Sequence, residues 1–288
     1  MMRGPGARPT RRTALGLAAL SAGGLLGGCG RPSTPSDPST PPTAEGGVER
    51  IEYGSDAAQF VELTRPRGAS RGTVVVLHGG FWLEAYDVSL ARPLAADLAA
   101  RGWTALAVEY RRVGGGGGYP ATLDDVSAAL DLLAGRTGAG PLVVLGHSAG
   151  GQLAVWAATR RRLARWRSAR VVPTHVVAQA GVLDLRAAAA EDLGGGAVRG
   201  FLGGSPGERP AAYAAADPRS LVPAGVPVVC VHGRDDATVP IEQSRSYVRA
   251  ARAAGAGASL VEVPGDHLDQ VDTGSRAWAR TLAVLDDL

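Results

Sequence analysis

Leu145-Gly146-His147-Ser148-Ala149-Gly150-Gly151 is the stretch that decides the fold. It follows residues 141–145, an apolar run with the length of a buried strand, and it precedes residues 152–158, which are typical of a helix. Gly146, Ser148 and Gly150 have the spacing G-x-S-x-G. Glycines on both sides of a strained residue remove the side chains that would clash there. The stretch therefore predicts a sharp strand-to-helix turn that holds the Ser148 hydroxyl above a sheet.

A serine hydroxyl is a poor nucleophile unless a base removes its proton, and the base needs an acid to orient it. Residues 231–240 and residues 263–267 each follow a predicted strand and supply such groups. They give the chain order Ser148, Asp236, His267, which is the order expected for a nucleophile at a strand-to-helix turn. These three residues are the candidate catalytic triad.

Other side chains compete for the roles of acid and base. Asp235 is adjacent to Asp236, and only one of the two can face the histidine. Asp269 and Asp272 are weaker candidates for the acid because they follow the base in the chain. The remaining histidines are predicted to be structural: His78 holding its own loop by hydrogen bonding, His147 pointing away from Ser148, His175 opening a strand, and His232 beginning the acid loop.

Length and charge restrict the class of protein. The 288 residues allow one large domain or two small ones, and 45% hydrophobic with 20% charged residues describe an ordinary globular protein. Residues 1–28 hold four arginines and no acid, so the chain without them has a net charge of −1 instead of +3. Nucleic-acid binding therefore has no support. The arginines of residues 160–170 are predicted to form a solvated helix end.

All 30 basic residues are arginine, which excludes a Walker A phosphate loop and a Schiff-base lysine. A five-glycine run at residues 114–118 lacks the spacing of a dinucleotide-binding loop, because Tyr119 stands where the last glycine should be. This run predicts a flexible loop. The chemistry expected at Ser148 needs neither a metal nor an organic cofactor.

The N-terminus has the pattern of an export signal. Residues 10–15 resemble a twin-arginine signal, and residues 14–28 are apolar but too short and too glycine-rich to span a bilayer. Residues 26–29, Leu-Gly-Gly-Cys, resemble the lipobox of bacterial lipoproteins, in which the cysteine is lipidated and becomes the mature N-terminus. The sequence predicts a signal peptide over residues 1–28 and a lipid at Cys29. A plain signal peptide with an incidental cysteine is the alternative.

Residues 29–47 are rich in proline, serine and threonine, which is typical of a disordered linker. The folded domain is expected over residues 48–288. The exported protein is then lipid-anchored at the outer face of the bacterial cytoplasmic membrane, or periplasmic. With Cys29 lipidated, Cys230 has no partner for a disulfide and is predicted to be a buried strand cysteine.

Short apolar runs alternate with segments of helical spacing, which predicts an α/β fold with a mostly parallel sheet covered by helices on both faces. Residues 48–53 and 59–64 are expected to form a hairpin at one sheet edge. Residues 184–221 are alanine- and glycine-rich and predict an irregular segment with short helical pieces. The other predicted strands are 73–77, 104–108, 141–145, 175–180, 226–231 and 259–263, and the predicted helices are 90–100, 123–134 (capped by Thr122 or an adjacent residue), 152–158, 242–254 and 275–285.

Taken together, these motifs resemble the α/β-hydrolases of the esterase/lipase type. Residues 78–82, His-Gly-Gly-Phe-Trp, resemble the H-G-G-x-W motif of the kynurenine formamidase-like branch. Residues 232–240 are similar to the H-G-x-x-D-x-x-V-P acid loop, which favours Asp236 over Asp235. Residues 265–267, Gly-Asp-His, also resemble that branch. The resemblance covers residues 48 to 288 and implies the α/β-hydrolase fold.

The resemblance also implies an oxyanion hole made by the backbone amides of Gly80 and Phe81, completed by the amide of Ala149. Glycines suit this role because they let the backbone approach the substrate oxygen closely. Trp82 follows this loop, and two interpretations stay open: it walls off the acyl side of the site, or it is a packed core residue.

The sequence therefore leads to the hypothesis of a serine hydrolase that cleaves carboxylic esters with small acyl groups through an acyl-enzyme. Two alternatives keep the same triad: an aryl formamidase or other small-amide hydrolase, and a peptidase of the prolyl-oligopeptidase type, although the propeller usual in that group is absent. A third alternative is a non-catalytic binding protein on a hydrolase scaffold.

Overall fold

The computed structural model describes residues 47–136 and 138–288. The predicted signal peptide, the predicted lipid site at Cys29 and all but the last residue of the predicted linker lie outside the described residues. None of the described helices is both long and apolar enough to cross a membrane.

The described part of the chain contains a single eight-stranded sheet. Its strands are β1 (Glu49–Glu52), β2 (Phe60–Thr64), β3 (Thr73–Leu77), β4 (Thr104–Val108), β5 (Leu142–His147), β6 (His175–Gln179), β7 (Val228–Gly233) and β8 (Ala258–Val263). They lie in the order β1-β2-β4-β3-β5-β6-β7-β8. The β1–β2 and β2–β4 pairs are antiparallel, and all other neighbouring strands are parallel. The predicted parallel sheet with a hairpin at one edge is confirmed.

Helices cover both faces of the sheet, as predicted. They are α1 (Arg92–Ala100), α2 (Ala121–Asp131), α3 (Ala149–Thr159), α4 (Leu185–Ala190), α5 (Leu193–Leu202), α6 (Pro210–Ala216), α7 (Glu242–Ala253) and α8 (Arg276–Asp286). Buried side chains of α1 and α8 belong to one hydrophobic cluster, and those of α2, α3 and α7 belong to the other.

The β3 strand explains why its sequence is continuously apolar. Its side chains alternate between the two clusters, with Val74 and Val76 in one and Val75 and Leu77 in the other. All four are almost fully buried. Burial of each side chain stabilises the fold by about 2 kcal/mol, so a polar residue at any of these positions is disfavoured.

The N-terminus of α2 differs from the sequence prediction. The helix begins at Ala121, and the residue at its N-cap is Pro120, whose side chain forms no capping hydrogen bond. Thr122 lies inside the helix, where its hydroxyl accepts from the amide of Gly118 at 2.9 Å and donates to the carbonyl of Arg111 at 2.6 Å. The predicted cap is wrong because Thr122 holds the preceding loop instead of the helix end.

The five-glycine run is a hydrogen-bonded turn where the sequence predicted a flexible loop. The amides of Gly115 and Gly117 both donate to the carbonyl of Arg112, at 2.9 and 2.8 Å. A side chain on Gly117 would overlap the backbone of Arg111. Gly117 is therefore required by close backbone approach.

The predicted solvated helix end at residues 160–170 is wrong for Arg160, which is 1% exposed. Its guanidinium donates to the carbonyls of Ala157 and Val171, each at 2.6 Å, and pairs with Asp131 at 3.2 Å. Carbonyl and carboxylate acceptors therefore stabilise this cation inside the protein.

Residues 184–221, which we call the cap segment, contain α4, α5 and α6. Gly194, Gly195 and Gly196 at the start of α5 have φ angles of +64°, +63° and +86°. Three successive left-handed residues are accessible to glycine and costly for other residues. The prediction of an irregular segment with short helices is confirmed. Cys230 is a buried free cysteine in β7, as predicted.

Candidate active site

Ser148 occupies the predicted strand-to-helix turn between β5 and α3. Its φ and ψ are +56° and −118°, a strained conformation for a residue with a side chain. A side chain on Gly146 would overlap the carbonyl of Gly150, and one on Gly150 would overlap the carbonyl of Leu77 in β3. Both glycines are thus required by the close packing of the turn.

Asp236 and His267 lie together at the carboxyl ends of β7 and β8. The Oδ2 atom of Asp236 is 2.7 Å from Nδ1 of His267. Since a carboxylate only accepts, Nδ1 carries the proton, and Nε2 of neutral His267 is left as an acceptor. The His267 side chain is 11% exposed and that of Asp236 is fully buried, so the pair is shielded from water.

The Ser148 hydroxyl forms no hydrogen bond to a residue in the described part of the chain. The structure thus brings the acid and the base into contact and leaves the serine–histidine contact open. Such contacts are often long without substrate and tighten only in the reacting complex. Ser148 is nevertheless joined to residues 264–267, which we call the histidine loop, through its neighbour His147. The Nε2 atom of His147 is 3.0 Å from the carbonyl oxygen of His267.

Asp236 is held in its ionised form. Its Oδ1 accepts from the amides of Thr238 and Val239, at 2.9 and 2.8 Å. Burial by itself would raise the pKa of Asp236, but hydrogen bonds from His232, His267 and Val239 outweigh it. The pKa of Asp236 therefore lies well below its usual range, and the carboxylate is available to orient His267.

The competing acids lie elsewhere. Asp235 is exposed, and its carboxylate accepts from the amide of Gly265 at 3.2 Å. Asp269 accepts from the amide of Asp266 at 2.7 Å, and Asp272 from that of Gly274 at 2.9 Å. Among the described residues, none of these three carboxylates forms a hydrogen bond or ion pair with a histidine.

The predicted oxyanion loop, residues 78–82, lies directly against Ser148. A side chain on Gly79 would reach within 3.1 Å of the Ser148 Cβ atom. Gly80 and Phe81 have φ angles of +110° and +56°. The amides of Gly80, Phe81 and Ala149 donate to no backbone carbonyl of the described chain. Unpaired amides beside a nucleophile are what stabilisation of an oxyanion requires.

Trp82 is a core residue, and the interpretation as an acyl wall is wrong. It is 1% exposed, and its indole ring stacks on the ring of Phe201 in α5. Its Nε1 donates to the side chain of Gln152 in α3 at 3.1 Å.

His78 holds its own loop by a hydrogen bond, as predicted from the sequence. Its Nδ1 donates to the carbonyl of Gly79 at 2.7 Å, and its ring stacks on Tyr110 with centroids 4.3 Å apart. Burial lowers the pKa of His78 to about 4, so it is neutral at ordinary pH.

Glu109 is a supporting residue that the sequence analysis missed. Its buried carboxylate accepts from the amides of Val88 and Tyr110, both at 2.8 Å, and pairs with Arg112. The available signal was a charged residue directly after a buried strand. Glu109 thus fixes the segment that carries the His78–Tyr110 stack.

His232 holds the acid loop. Its Nε2 donates to the carbonyl of Val239 at 2.8 Å, and its Nδ1 is 2.7 Å from the hydroxyl of Ser244 in α7. The same Nε2 is 3.4 Å from Oδ2 of Asp236. The imidazole of His175, at the start of β6, forms a hydrogen bond with only the Thr174 hydroxyl among the described residues.

No cluster of metal-ligating side chains is found within residues 47–136 and 138–288. A cavity of about 580 Å³ lies at the amino ends of β3 and β4, the end of the parallel strands opposite to Ser148. Its lining includes Leu63 and Leu106 but none of the candidate catalytic residues. We therefore locate the chemistry at the carboxyl ends of the strands.

Comparison with known proteins identifies the family. The family model BD-FAE matches residues 62–250. Esterase LipC of Mycobacterium tuberculosis (strain ATCC 25618 / H37Rv) is 27% identical in an alignment of 262 positions, which covers 81% of this chain. The matched chain spans 63% of the length of esterase LipC.

Two solved structures share the fold. The thermophilic esterase Est2 from the Planctomycetes species Thermogutta terrifontis has a TM-score of 0.66 and 23% identity, and the match covers 86% of this chain and 92% of Est2. Esterase B from Lactobacillus rhamnosis has a TM-score of 0.70 and 21% identity, over 85% of this chain and 86% of that one. The predicted α/β-hydrolase fold is confirmed, and because the BD-FAE model matches more than half of the sequence, the chain belongs to the BD-FAE family of α/β-hydrolases.

Proposed function

We propose that the protein is a serine hydrolase that cleaves carboxylic esters. The observation that carries this proposal is the 2.7 Å hydrogen bond between Asp236 and His267. Their loops lie at the carboxyl ends of the strands, where the strained Ser148 also lies. A base oriented by a buried acid beside a serine at a strand-to-helix turn is the arrangement needed for acyl transfer.

In the proposed reaction, Ser148 Oγ attacks the acyl carbonyl carbon while His267 Nε2 takes the hydroxyl proton. The tetrahedral intermediate collapses, the bond to the alcohol oxygen breaks, and His267 returns its proton to that oxygen. Water then attacks the acyl-enzyme with His267 again as base, which releases the acid and restores the serine. Asp236 fixes the tautomer of His267 and stabilises the imidazolium that forms.

The amides of Gly80, Phe81 and Ala149 would bind the oxyanion in both steps. Ala149 is the first residue of α3, so its amide has no partner within the helix and points out from the helix N-terminus. Loss of one such donor costs about 3 kcal/mol of transition-state stabilisation in comparable sites.

The test compares the wild type with Ser148→Ala on p-nitrophenyl butyrate and with a fluorophosphonate probe. We expect turnover and labelling of the wild type, and loss of both in the variant with the fold intact by circular dichroism. Absence of labelling in the folded wild type would instead favour the non-catalytic binding protein.

We propose short acyl groups, roughly formyl to butyryl, as the preferred substrates. The aromatic rings of the cap segment support this, because Phe201 and Tyr213 are both buried and used in packing. Est2 is solved with butyrate or propionate bound, and esterase B with a C4-C4 tributyrin phosphonate. A p-nitrophenyl ester series from acetate to palmitate tests the proposal, since a lipase should gain about 0.8 kcal/mol per buried methylene as the chain lengthens.

Amide hydrolysis uses the same residues and is the second candidate. Aryl formamides and aminoacyl amides, assayed beside the esters, separate a formamidase or a peptidase from an esterase. We expect kcat/KM to be highest for the esters. A higher kcat/KM for an aryl formamide would reassign the enzyme.

We also propose that the protein is exported and carries a lipid at Cys29, on the strength of the Leu-Gly-Gly-Cys motif at residues 26–29. One acyl chain binds membranes only marginally, whereas two anchor a protein stably. Mass spectrometry of the mature protein from a bacterial host with lipoprotein processing tests this. We expect a diacylglycerol thioether in the wild type and none in Cys29→Ser, and an unlipidated Cys29 in the mature wild type contradicts it.

A further inference from the structure

His147, the last residue of β5, lies between the nucleophile and the histidine loop. Its Nε2 is 3.0 Å from the backbone carbonyl oxygen of His267, and the two imidazole rings have centroids 4.5 Å apart with planes tilted by 46°. Because a carbonyl oxygen only accepts, Nε2 of His147 carries the proton. Burial, with a smaller contribution from His267, lowers the pKa of His147 to about 3. His147 is therefore a neutral N–H donor at ordinary pH.

The segment that carries His267 is also tied to its surroundings on either side: the carbonyl of Gly265 accepts from the amide of Asp235 at 3.1 Å, and the carbonyl of Gln270 accepts from the side chain of Gln179 at 2.8 Å. It follows β8, which is the edge strand of the sheet. Gly265 within it has a φ of +108°, and Leu268 after it is 66% exposed. Among the side chains of the described residues, only His147 donates to the His267 carbonyl. Loss of a buried hydrogen bond is costly, so this contact restricts where the loop can lie.

The contact also joins the ends of two strands that are not neighbours in the sheet. The strands β6 and β7 lie between β5 and β8. His147 is adjacent in sequence to Ser148, so a displacement of the turn and a displacement of the histidine loop are coupled through one side chain. Asp236 orients the ring of His267, whereas His147 holds its backbone.

We propose that His147 is a positioning residue that sets the distance between Ser148 and His267, an inference that rests on the proposed serine hydrolase function. It does not touch the substrate. Without its hydrogen bond the backbone of His267 can move away from the serine, and small displacements of reacting groups cost much of the rate. Substrate binding is largely independent of this contact, so kcat is affected and KM is not.

The experiment separates the N–H donor from the shape of the ring. In His147→Gln the side-chain amide places an N–H near the position that Nε2 of His147 has in the wild type. The His147→Phe variant keeps a planar ring but has no donor. We expect kcat for p-nitrophenyl butyrate to fall at least about tenfold in His147→Phe, with KM within about twofold of wild type, and His147→Gln to recover most of the loss. His175→Phe, at the distant start of β6, is the matched control and should leave kcat unchanged.

A second comparison covers failure of His147→Phe to fold. His147→Asn retains an amide, but its shorter side chain cannot reach the carbonyl, so it should lose kcat where His147→Gln does not. The rate of fluorophosphonate labelling follows the activation of Ser148 directly and should fall by the same factor as kcat.

Two results would overturn the proposal. Equal kcat in wild type and His147→Phe means that the hydrogen bond does not position His267. Equal losses of kcat in His147→Gln, His147→Phe and His147→Asn mean that His147 acts through packing alone. Failure of the proposed function gives a different result, because the wild type itself then shows neither turnover nor labelling.

Discussion

The indole ring of Trp82 lies flat on the phenyl ring of Phe201, with centroids 4.7 Å apart and ring planes 6° apart. Trp82 also donates to Gln152 of α3, and the amide nitrogen of Gln152 donates to the carbonyl of Ala216 at the end of α6. Residues 78–82, the helix α3 that follows Ser148, and the cap segment are thus joined by one set of buried contacts. A residue in the cap segment can therefore affect the stability of the proposed oxyanion loop.

Phe201→Ala is expected to destabilise the protein by about 3 kcal/mol, because it leaves a cavity and removes the partner of a buried indole. Urea unfolding monitored by tryptophan fluorescence measures the change. Val172→Ala, at a site that is 41% exposed, is the control and should change stability little. A loss from Phe201→Ala no larger than that of the control would mean that the stack contributes nothing.

Two glycine-to-alanine substitutions test the packing of the turn. An added methyl group on Gly150 overlaps the carbonyl oxygens of Leu77 and His78, so Gly150→Ala should cost about 1–3 kcal/mol and reduce kcat. A methyl group added to Gly200 in α5 would meet only open space, so Gly200→Ala should stabilise the helix by about 0.5–1 kcal/mol. Thermal unfolding of the pair gives the comparison, and destabilisation of similar size in both variants would contradict the argument from overlap.

The sequence predicted best the elements that are decided by burial. Residues 73–77 and 104–108 agree with β3 and β4 at both ends, because a strand buried on both faces is a continuous apolar run, and a polar residue, His78 or Glu109, follows each run. Asp236 was favoured over Asp235 by the spacing of the acid loop, and the structure places Asp236 against His267.

Features that depend on tertiary contacts were not accessible from the sequence. The role of Thr122 was missed because its hydroxyl bonds Gly118 and Arg111 rather than a helix end. The stack that buries Trp82 joins residues more than a hundred positions apart. The contact between His147 and the His267 backbone spans 120 positions and leaves no pattern in either segment.

Asp236→Asn is expected to lower kcat by about 10³–10⁴-fold, because the amide donates toward Nδ1 of His267 and favours the wrong tautomer. The amide oxygen can still accept from Thr238 and Val239, so the acid loop should remain folded. Asp235→Asn is the matched control and should leave kcat close to that of the wild type. Steady-state kinetics on p-nitrophenyl butyrate decides, and a larger loss in Asp235→Asn would exchange the two assignments.

Two buried histidines predict that the protein loses stability in mild acid. The pKa values of His78 and His147 are lowered from 6.5 to about 4 and about 3, mainly by burial. Between these values and 6.5 the unfolded chain binds protons that the folded chain does not. The unfolded state is therefore favoured as the pH falls through this range.

Each of these histidines should lower the free energy of unfolding by about 1.4 kcal/mol per pH unit once the pH is well below 6.5. Urea unfolding at pH 7, 6 and 5 measures this slope. In His147→Gln one of the two groups no longer titrates, so the contribution of the histidines to the slope should fall by about half. Stability that is constant from pH 7 to pH 5, or a slope that His147→Gln leaves unchanged, would show that these rings accept protons as readily in the folded state as in the unfolded chain.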